Sequence, residues 1–292
     1  MTGPILELAA AGAAIGAALG HVVRRGVWRV AEVEPPQLRG PWVEVGGAAL
    51  FAIAGALRAE LFAGGLPDGA AGRLIVDGTF LFLLLALGTV DLVYKILPDR
   101  LTFGGVAAGL VLAVAFPGSL ERGEAFVDHA LGAVVGGGVL LALRVVTSRL
   151  FGVETMGLGD VKLMAAMGAF LGPRPILAAM LAGMLIGTVL GIVARLVTGK
   201  PHFAFGPALG AGGAAILLAG DRIEAGWRAY LVWSQRLGPE FAIGVSVVGL
   251  IVCAVLILRV RRRAAEIQRE VDADYDELDR RAGTKKPDGE KD

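Results

Sequence analysis

Nine stretches of this chain carry almost no charge, and that constrains the fold more than anything else in it. They run at about 4–23, 43–63, 74–97, 101–117, 128–146, 160–173, 175–197, 203–219 and 239–258. A hydrocarbon core ~30 Å thick is crossed by roughly 20 apolar helical residues, and a helix satisfies its own backbone groups there. The chain is 55% hydrophobic and 19% charged, against about a quarter charged in an ordinary soluble domain. The expected fold is therefore all-α, a polytopic transmembrane helical bundle of about eight or nine spans. The sixth run is short and opens on the polar Asp160. Residues 1–258 read as the membrane-embedded domain and 259–292 as a charged cytoplasmic tail, whose end "AGTKKPDGEKD" is expected to be disordered.

The lysines and arginines set an orientation. With the N-terminus outside, Arg24, Arg25, Arg29, Arg39, Arg100, Arg149, Lys200 and the "RVRRR" at 259–263 all fall in the cytoplasm. The first run has no basic residues before it, so it reads as a retained anchor and not a cleaved signal. A lone cysteine, Cys253, excludes an intramolecular disulfide and a multi-cysteine zinc site. His21, His129 and His202 show no metal-ligand spacing. No metal and no cofactor are expected. The net charge of +1, with no basic stripe among aromatics, gives no reason to expect a nucleic-acid partner.

Ionisable groups within membrane runs are costly, so each is a functional candidate. Asp77, near the outer end of the third run, is expected to reach the interface. Asp91 stands in "LGTVDLVYKILPDRLTFGG", about two turns before Pro98 and toward the cytoplasmic end. Its bland reading is an ion pair with Lys95, four residues on along one helical face. Asp160 opens the sixth run from the same side, in "ETMGLGDVKLMAAMGAFLG". Gly157 and Gly159 before it permit positive φ and leave no side chain in the way of an incoming chain. The bland reading of Asp160 is a favourable residue in a helix's first turn after a glycine-rich bend. Taken together the two aspartates say more. Two carboxylates brought close share a proton, so one takes a proton from water while the other polarises a peptide carbonyl. The residues thus point to an aspartyl hydrolase at the inner membrane surface.

These blocks resemble the prepilin peptidases, or type IV leader peptidases, of the GxGD aspartyl protease group. "VDLVYKILPDRLT" resembles that family's first catalytic block, with Asp91 in the catalytic position and Pro98–Asp99 as its Pro-Asp pair. "ETMGLGDVKLMAAMGAFLG" resembles the second, with Asp160 as the other catalytic residue and Lys162 in the GxGDxK position. "FAFGPALG" is similar to the later Phe-Gly-Pro block, carried by Phe205, Gly206 and Pro207, and "RGPWVEVGGAALFA" to the segment opening the second span, with Pro41 and Glu44. The likeness extends over about 40–230, leaving the run at 239–258 as an extra span. It implies Asp91 and Asp160 as catalytic, with Gly157, Gly159, Lys162, Asp99, Gly206 and Pro207 in support. Asp99 reads either as a cap of the fourth span, with Thr102 in its first turn, or as a support beside Asp91. Lys162 reads either as neutralising the site or as meeting anionic lipid.

The resemblance also implies a membrane aspartyl endopeptidase of the cytoplasmic (inner) membrane. Its substrates are pilin-like precursors with basic leaders, cut at the cytoplasmic face where the leader meets an apolar helix lying in the lipid bilayer. The chain departs from the family's bifunctional members in one respect. Their first cytoplasmic loop holds two CxxC pairs, whereas the corresponding stretch here, roughly 24–42, has no cysteine, so methyl transfer to the new N-terminus is not implied. Two other readings remain. A presenilin or signal-peptide-peptidase type of protease shares GLGD, and "PAL" at Pro207–Leu209 suggests its third motif. LPDRLT after Asp91, Val-Lys after Asp160 and a proline set within FGP stand against it. An ion-coupled transporter would use the aspartates as relays. The lack of repeat symmetry, and the clustering of the acids at one face, stand against that.

Overall fold

A computed structural model of the chain describes residues 3–33, 41–62, 69–152, 156–198, 204–235 and 247. The described residues hold eight helices and no strand. These are α1 (Gly3–Ala31), α2 (Trp42–Phe62), α3 (Ala70–Tyr94), α4 (Asp99–Ala115), α5 (Arg122–Phe151), α6 (Leu158–Leu171), α7 (Pro173–Thr198) and α8 (Gly206–Gln235). Eight of the nine apolar runs thus correspond to helices, and the fold is all-α. The run at 239–258 lies outside the described residues except for Val247, as do Arg39, Lys200, His202 and the tail 259–292. Among the described residues, five stretches are long and apolar enough to cross a membrane: 5–31, 42–59, 70–94, 122–151 and 173–194. The chain divides into two compact units, 1–148 with 154–224 and 149–153 with 225–292. The second holds the last residues of α5 and the end of α8. The packing and the site described below lie in the first.

Several helix ends differ from the apolar runs, each for a local reason. The charges at Arg24, Arg25 and Arg29 end the first apolar run but not the helix. Val23, Val27, Trp28 and Ala31 recur at helical spacing and are buried against Val43, Ala86 and Val90. Trp28 stacks edge-on with Tyr94, ring centroids 5.7 Å apart. α3 stops at Tyr94, three residues short of the apolar run, because Lys95 turns left-handed with φ 55. Pro98 follows closely and disfavours helix in the residue before it. Between α6 and α7 stands Gly172 alone, whose φ of 80 suits glycine and lets the chain reverse in one residue before Pro173.

Close backbone approach sets the packing. α1 lies along α2, and a β-carbon on Gly16 or Gly47 would fall on the carbonyl oxygen of the other. α5 meets α6 in the same way at Gly132 and Gly168. Small residues are what allow helices to pack this tightly in lipid. α6, with 14 residues, is only about 21 Å long and too short to span the bilayer unaided. It is the centre of the unit: Leu163, Met164, Met167 and Phe170 are buried among Phe80, Leu84, Leu140, Ile176 and Leu209.

Asp77 corrects one expectation. It does not reach an interface but is buried, 2.8 Å from the guanidinium of Arg58 on α2. The contact is an ion pair by distance without hydrogen-bond alignment, and Arg58 Nε has no partner. Arg58 also donates to the carbonyl of Leu217 at 2.8 Å, tying α2 to α8.

Candidate active site

Both aspartates of interest sit at helix ends. Asp91 occupies the last turn of α3, and its carbonyl accepts the N–H of Lys95 at 2.8 Å. Asp160 is the third residue of α6, after the N-cap Gly157. α4 packs along α6, and α3 touches both, so the C-terminus of α3 and the N-terminus of α6 come to the same end of the unit. There Asp91 and Asp160 line one cleft of about 640 Å³, with Lys95, Leu97, Met156, Gly157, Gly159, Lys162 and Phe205. The carboxylates are near enough for the charge on one to bear on the other. Asp91 is buried, with 6% of its surface exposed.

A carboxylate in the last turn of a helix is poorly placed, since that end of the macrodipole is negative. α8 corrects this from outside. The N–H of Gly206, its first residue, donates to Asp91 Oδ2 at 3.0 Å, so a positive helix end faces the buried acid. Gly206 must be glycine for this approach, because a β-carbon there would fall on the Asp91 carboxylate. Pro207 comes second in the helix, where a missing N–H costs nothing. The Phe205 carbonyl starts the helix by accepting from Ala208 and Leu209, both at 3.1 Å.

Gly157 and Gly159 work differently from expectation. Neither adopts positive φ, and Gly157 is extended at φ −69, ψ 146. What they supply is space: a β-carbon on Gly159 would press on Leu97. The Asp91–Lys95 pair is also absent among the described residues. Lys95 is left-handed, so the i, i+4 alignment that would bring the two together ends one residue too early. Lys95 is exposed and lines the cleft instead.

Asp99 does not cap α4 with its side chain, for that helix has no side-chain cap hydrogen bond at Pro98. Its Oδ1 accepts from Lys162 Nζ, which also lies 5.5 Å from the centre of the Phe103 ring. Thr102 is fully buried, its hydroxyl donating to the Pro98 and Asp99 carbonyls at 3.2 Å each. Asp99 therefore stands outside the cleft and touches it through Lys162. Glu44 joins α1 to α2, with Oε1 accepting from Arg24 at 3.0 Å and lying 3.3 Å from His21 Nδ1. His129 donates to the carbonyl of Ala169 at 2.8 Å, a contact between α5 and α6. Gly206 stands out in sequence only through the Phe-Gly-Pro likeness, and no side chain marks the donation of its backbone N–H to Asp91. Leu97 and Met156, the apolar walls, carried no signal either.

Residues 78–192 match the type IV leader peptidase family. The prepilin leader peptidase/N-methyltransferase of Neisseria gonorrhoeae is 38% identical over 151 residues, covering 51% of this chain and 49% of its own. The one from Burkholderia pseudomallei strain K96243 is 37% identical over 206 residues, covering 69% of this chain and 61% of its own. A third, from Myxococcus xanthus, is 38% identical over 118 residues, or 40% of this chain and 34% of its own. The chain thus spans about half of the first relative and 61% of the second. No solved structure matches it. Residues 78–192, which bring both Asp91 and Asp160 to the cleft, are thus similar to the type IV leader peptidase family.

Proposed function

We propose that this chain is a membrane aspartyl endopeptidase that removes the leader from type IV pilin-like precursors. One observation carries the reading: two carboxylates 69 positions apart, one ending α3 and one starting α6, line a single cleft with no side chain at Gly157 or Gly159 to fill it. Asp91 and Asp160 hold one proton between them. The ionised carboxylate takes a proton from water as its oxygen attacks the scissile carbonyl, and the protonated one donates to the carbonyl oxygen. Collapse of the tetrahedral adduct breaks the C–N bond, and the amine leaves with a proton. Gly206 N–H orients Asp91, and Lys162, held by Asp99, adds a positive charge at the rim. Leader peptidase is the activity that the relatives' names carry.

The cut lies at the cytoplasmic face of the inner membrane in this reading. Arg24, Arg29 and Arg100 fall at the same end of their helices' course as Asp91, and Arg100 pairs with Glu32 at 2.6 Å. A positively charged end stays in the cytoplasm. The relatives' names include a second activity, methyl transfer. We propose that it is weak or absent here, because the stretch joining α1 to α2 has no cysteine.

The test uses Asp91→Asn and Asp160→Asn in purified, membrane-reconstituted protein. Asparagine is close to isosteric and cannot ionise. Each variant is expected to reach the membrane normally and to release no leader from a pilin-like precursor, read by mass spectrometry. Continued cleavage by either variant would remove that residue from the mechanism.

A further inference from the structure

Beside the cleft lies an apolar groove between α2, α3 and α8, of about 380 Å³. Leu92 and Pro207 form its near end, and each directly follows one of the two residues joined by the Asp91–Gly206 hydrogen bond. From there it runs past Gly88 and Gly210 toward the middle of the bundle. Along α2 it extends from residue 42 to 50, roughly 12 Å at the helical rise. Its polar side-chain groups are the Thr89 hydroxyl, which already donates to the Leu85 carbonyl at 2.6 Å, and the indole N–H of Trp42 at the start of α2. The groove is therefore mainly apolar, with no charged side chain in its lining.

Its glycines set it apart from the bundle's interior. At Gly16, Gly47, Gly132 and Gly168 a β-carbon would strike a neighbouring helix, whereas at Gly46 and Gly88 it would meet nothing within 4 Å. Two adjacent helices thus present flat faces to space that the described chain does not fill. Flat faces of this kind suit a further helix lying alongside.

We propose that this groove receives the apolar helix of the pilin-like precursor, seating side chains of its first two turns while the scissile bond lies at Asp91 and Asp160. This rests on the peptidase reading above. Its support is adjacency: a chain cut at the junction of leader and apolar helix must leave the cleft directly into the bilayer, and the groove is an apolar path that starts at Leu92 and Pro207, the chain neighbours of Asp91 and Gly206. The volume admits side chains and not a whole helix, so the substrate lies against the groove with its outer face in lipid.

The experiment measures kcat/KM on two substrates: a full precursor, and a peptide holding the leader and only the first few residues beyond the cut. Gly46→Leu and Gly88→Leu fill the groove, and Gly138→Leu is the control, on an exposed face of α5 with equally open space. Leucine is also the better helix former, so folding is not taxed. The precursor-to-peptide ratio is expected to fall about tenfold in Gly46→Leu and Gly88→Leu, or ~1.4 kcal/mol, and to keep its wild-type value in Gly138→Leu. An unchanged ratio in both groove variants overturns the proposal, whether lipid or the chain's own residues 239–258 occupy the groove. A wild-type protein that cuts neither substrate overturns the peptidase reading itself.

Discussion

At Gly206 there is no room for a β-carbon. The approach of α8 to Asp91 is so close that alanine would push the carboxylate aside and lengthen the 3.0 Å hydrogen bond that orients it. Gly206→Ala is expected to lower kcat for leader removal roughly 100-fold, the scale of a misplacement of about 1 Å at a reacting group, with protein levels in the membrane unchanged. Asp99 gives the contrast. Its carboxylate is largely exposed and acts on the cleft only through Lys162. Exposed ion pairs contribute about 0–1 kcal/mol, so Asp99→Asn is expected to cost no more than roughly fivefold in kcat/KM. A complete loss in Asp99→Asn would show that Asp99 does more than hold Lys162. The aspartates and the GLGD glycines were legible in sequence because charge and glycine stand out in apolar runs. The conformation of those glycines was not, since one sequence permits left-handed, extended and helical backbone alike, and here Gly157 is extended while Gly159 lies within α6.

Among the elements, the join of α2 to α3 depends on the pair Arg58–Asp77, whose side chains are 17% and 12% exposed. Removing one member leaves the other as an unpaired charge among apolar groups, and such losses run to about 3–5 kcal/mol. Asp77→Ala is therefore expected to lower the thermal midpoint of the detergent-solubilised protein markedly. The double replacement Arg58→Met with Asp77→Leu is expected to recover most of that loss, because it removes both desolvation penalties together. A double variant no better than Asp77→Ala would show that the hydrogen bond from Arg58 to the Leu217 carbonyl matters more than the pair. Sequence placed Asp77 near a helix end, but not beside Arg58, because only the way α2 and α3 lie against each other decides whether the two side chains face. Helix α1 likewise outran its apolar stretch. Its extension past Arg24 is stabilised by Val27 and Trp28 packing on α2 and α3, a contribution no window of hydropathy contains.

For the whole molecule, the test is what happens to the new N-terminus. Pilin processed by this protein with S-adenosylmethionine supplied, and with no other methyltransferase present, is expected to show a free amine by mass spectrometry. A mature N-terminus carrying one added methyl group would overturn that expectation. Cleavage is also expected to survive a strong chelator, since a carboxylate pair needs no metal and Cys253 with three dispersed histidines gives no tetrahedral donor set. Loss of cleavage that returns with added zinc would contradict it.

By itself the sequence determined that the chain is a helical membrane protein, and which acids within it are costly enough to need a purpose. Those properties follow from local chemistry: long apolar runs require helices in lipid, and a buried charge must be compensated wherever the chain goes. The apposition of Asp91 and Asp160, the N–H of Gly206 at Asp91, the partner of Asp77 and the tie between Lys162 and Asp99 were decided only by tertiary structure. Each depends on which helix lies beside which, and that is set by close backbone contacts at glycines such as Gly16, Gly47, Gly132 and Gly168. Glycines facing a neighbour and glycines facing open space, as at Gly46 and Gly88, look the same in a sequence. Only the folded bundle separates them, because the difference lies in what surrounds the residue and not in the residue.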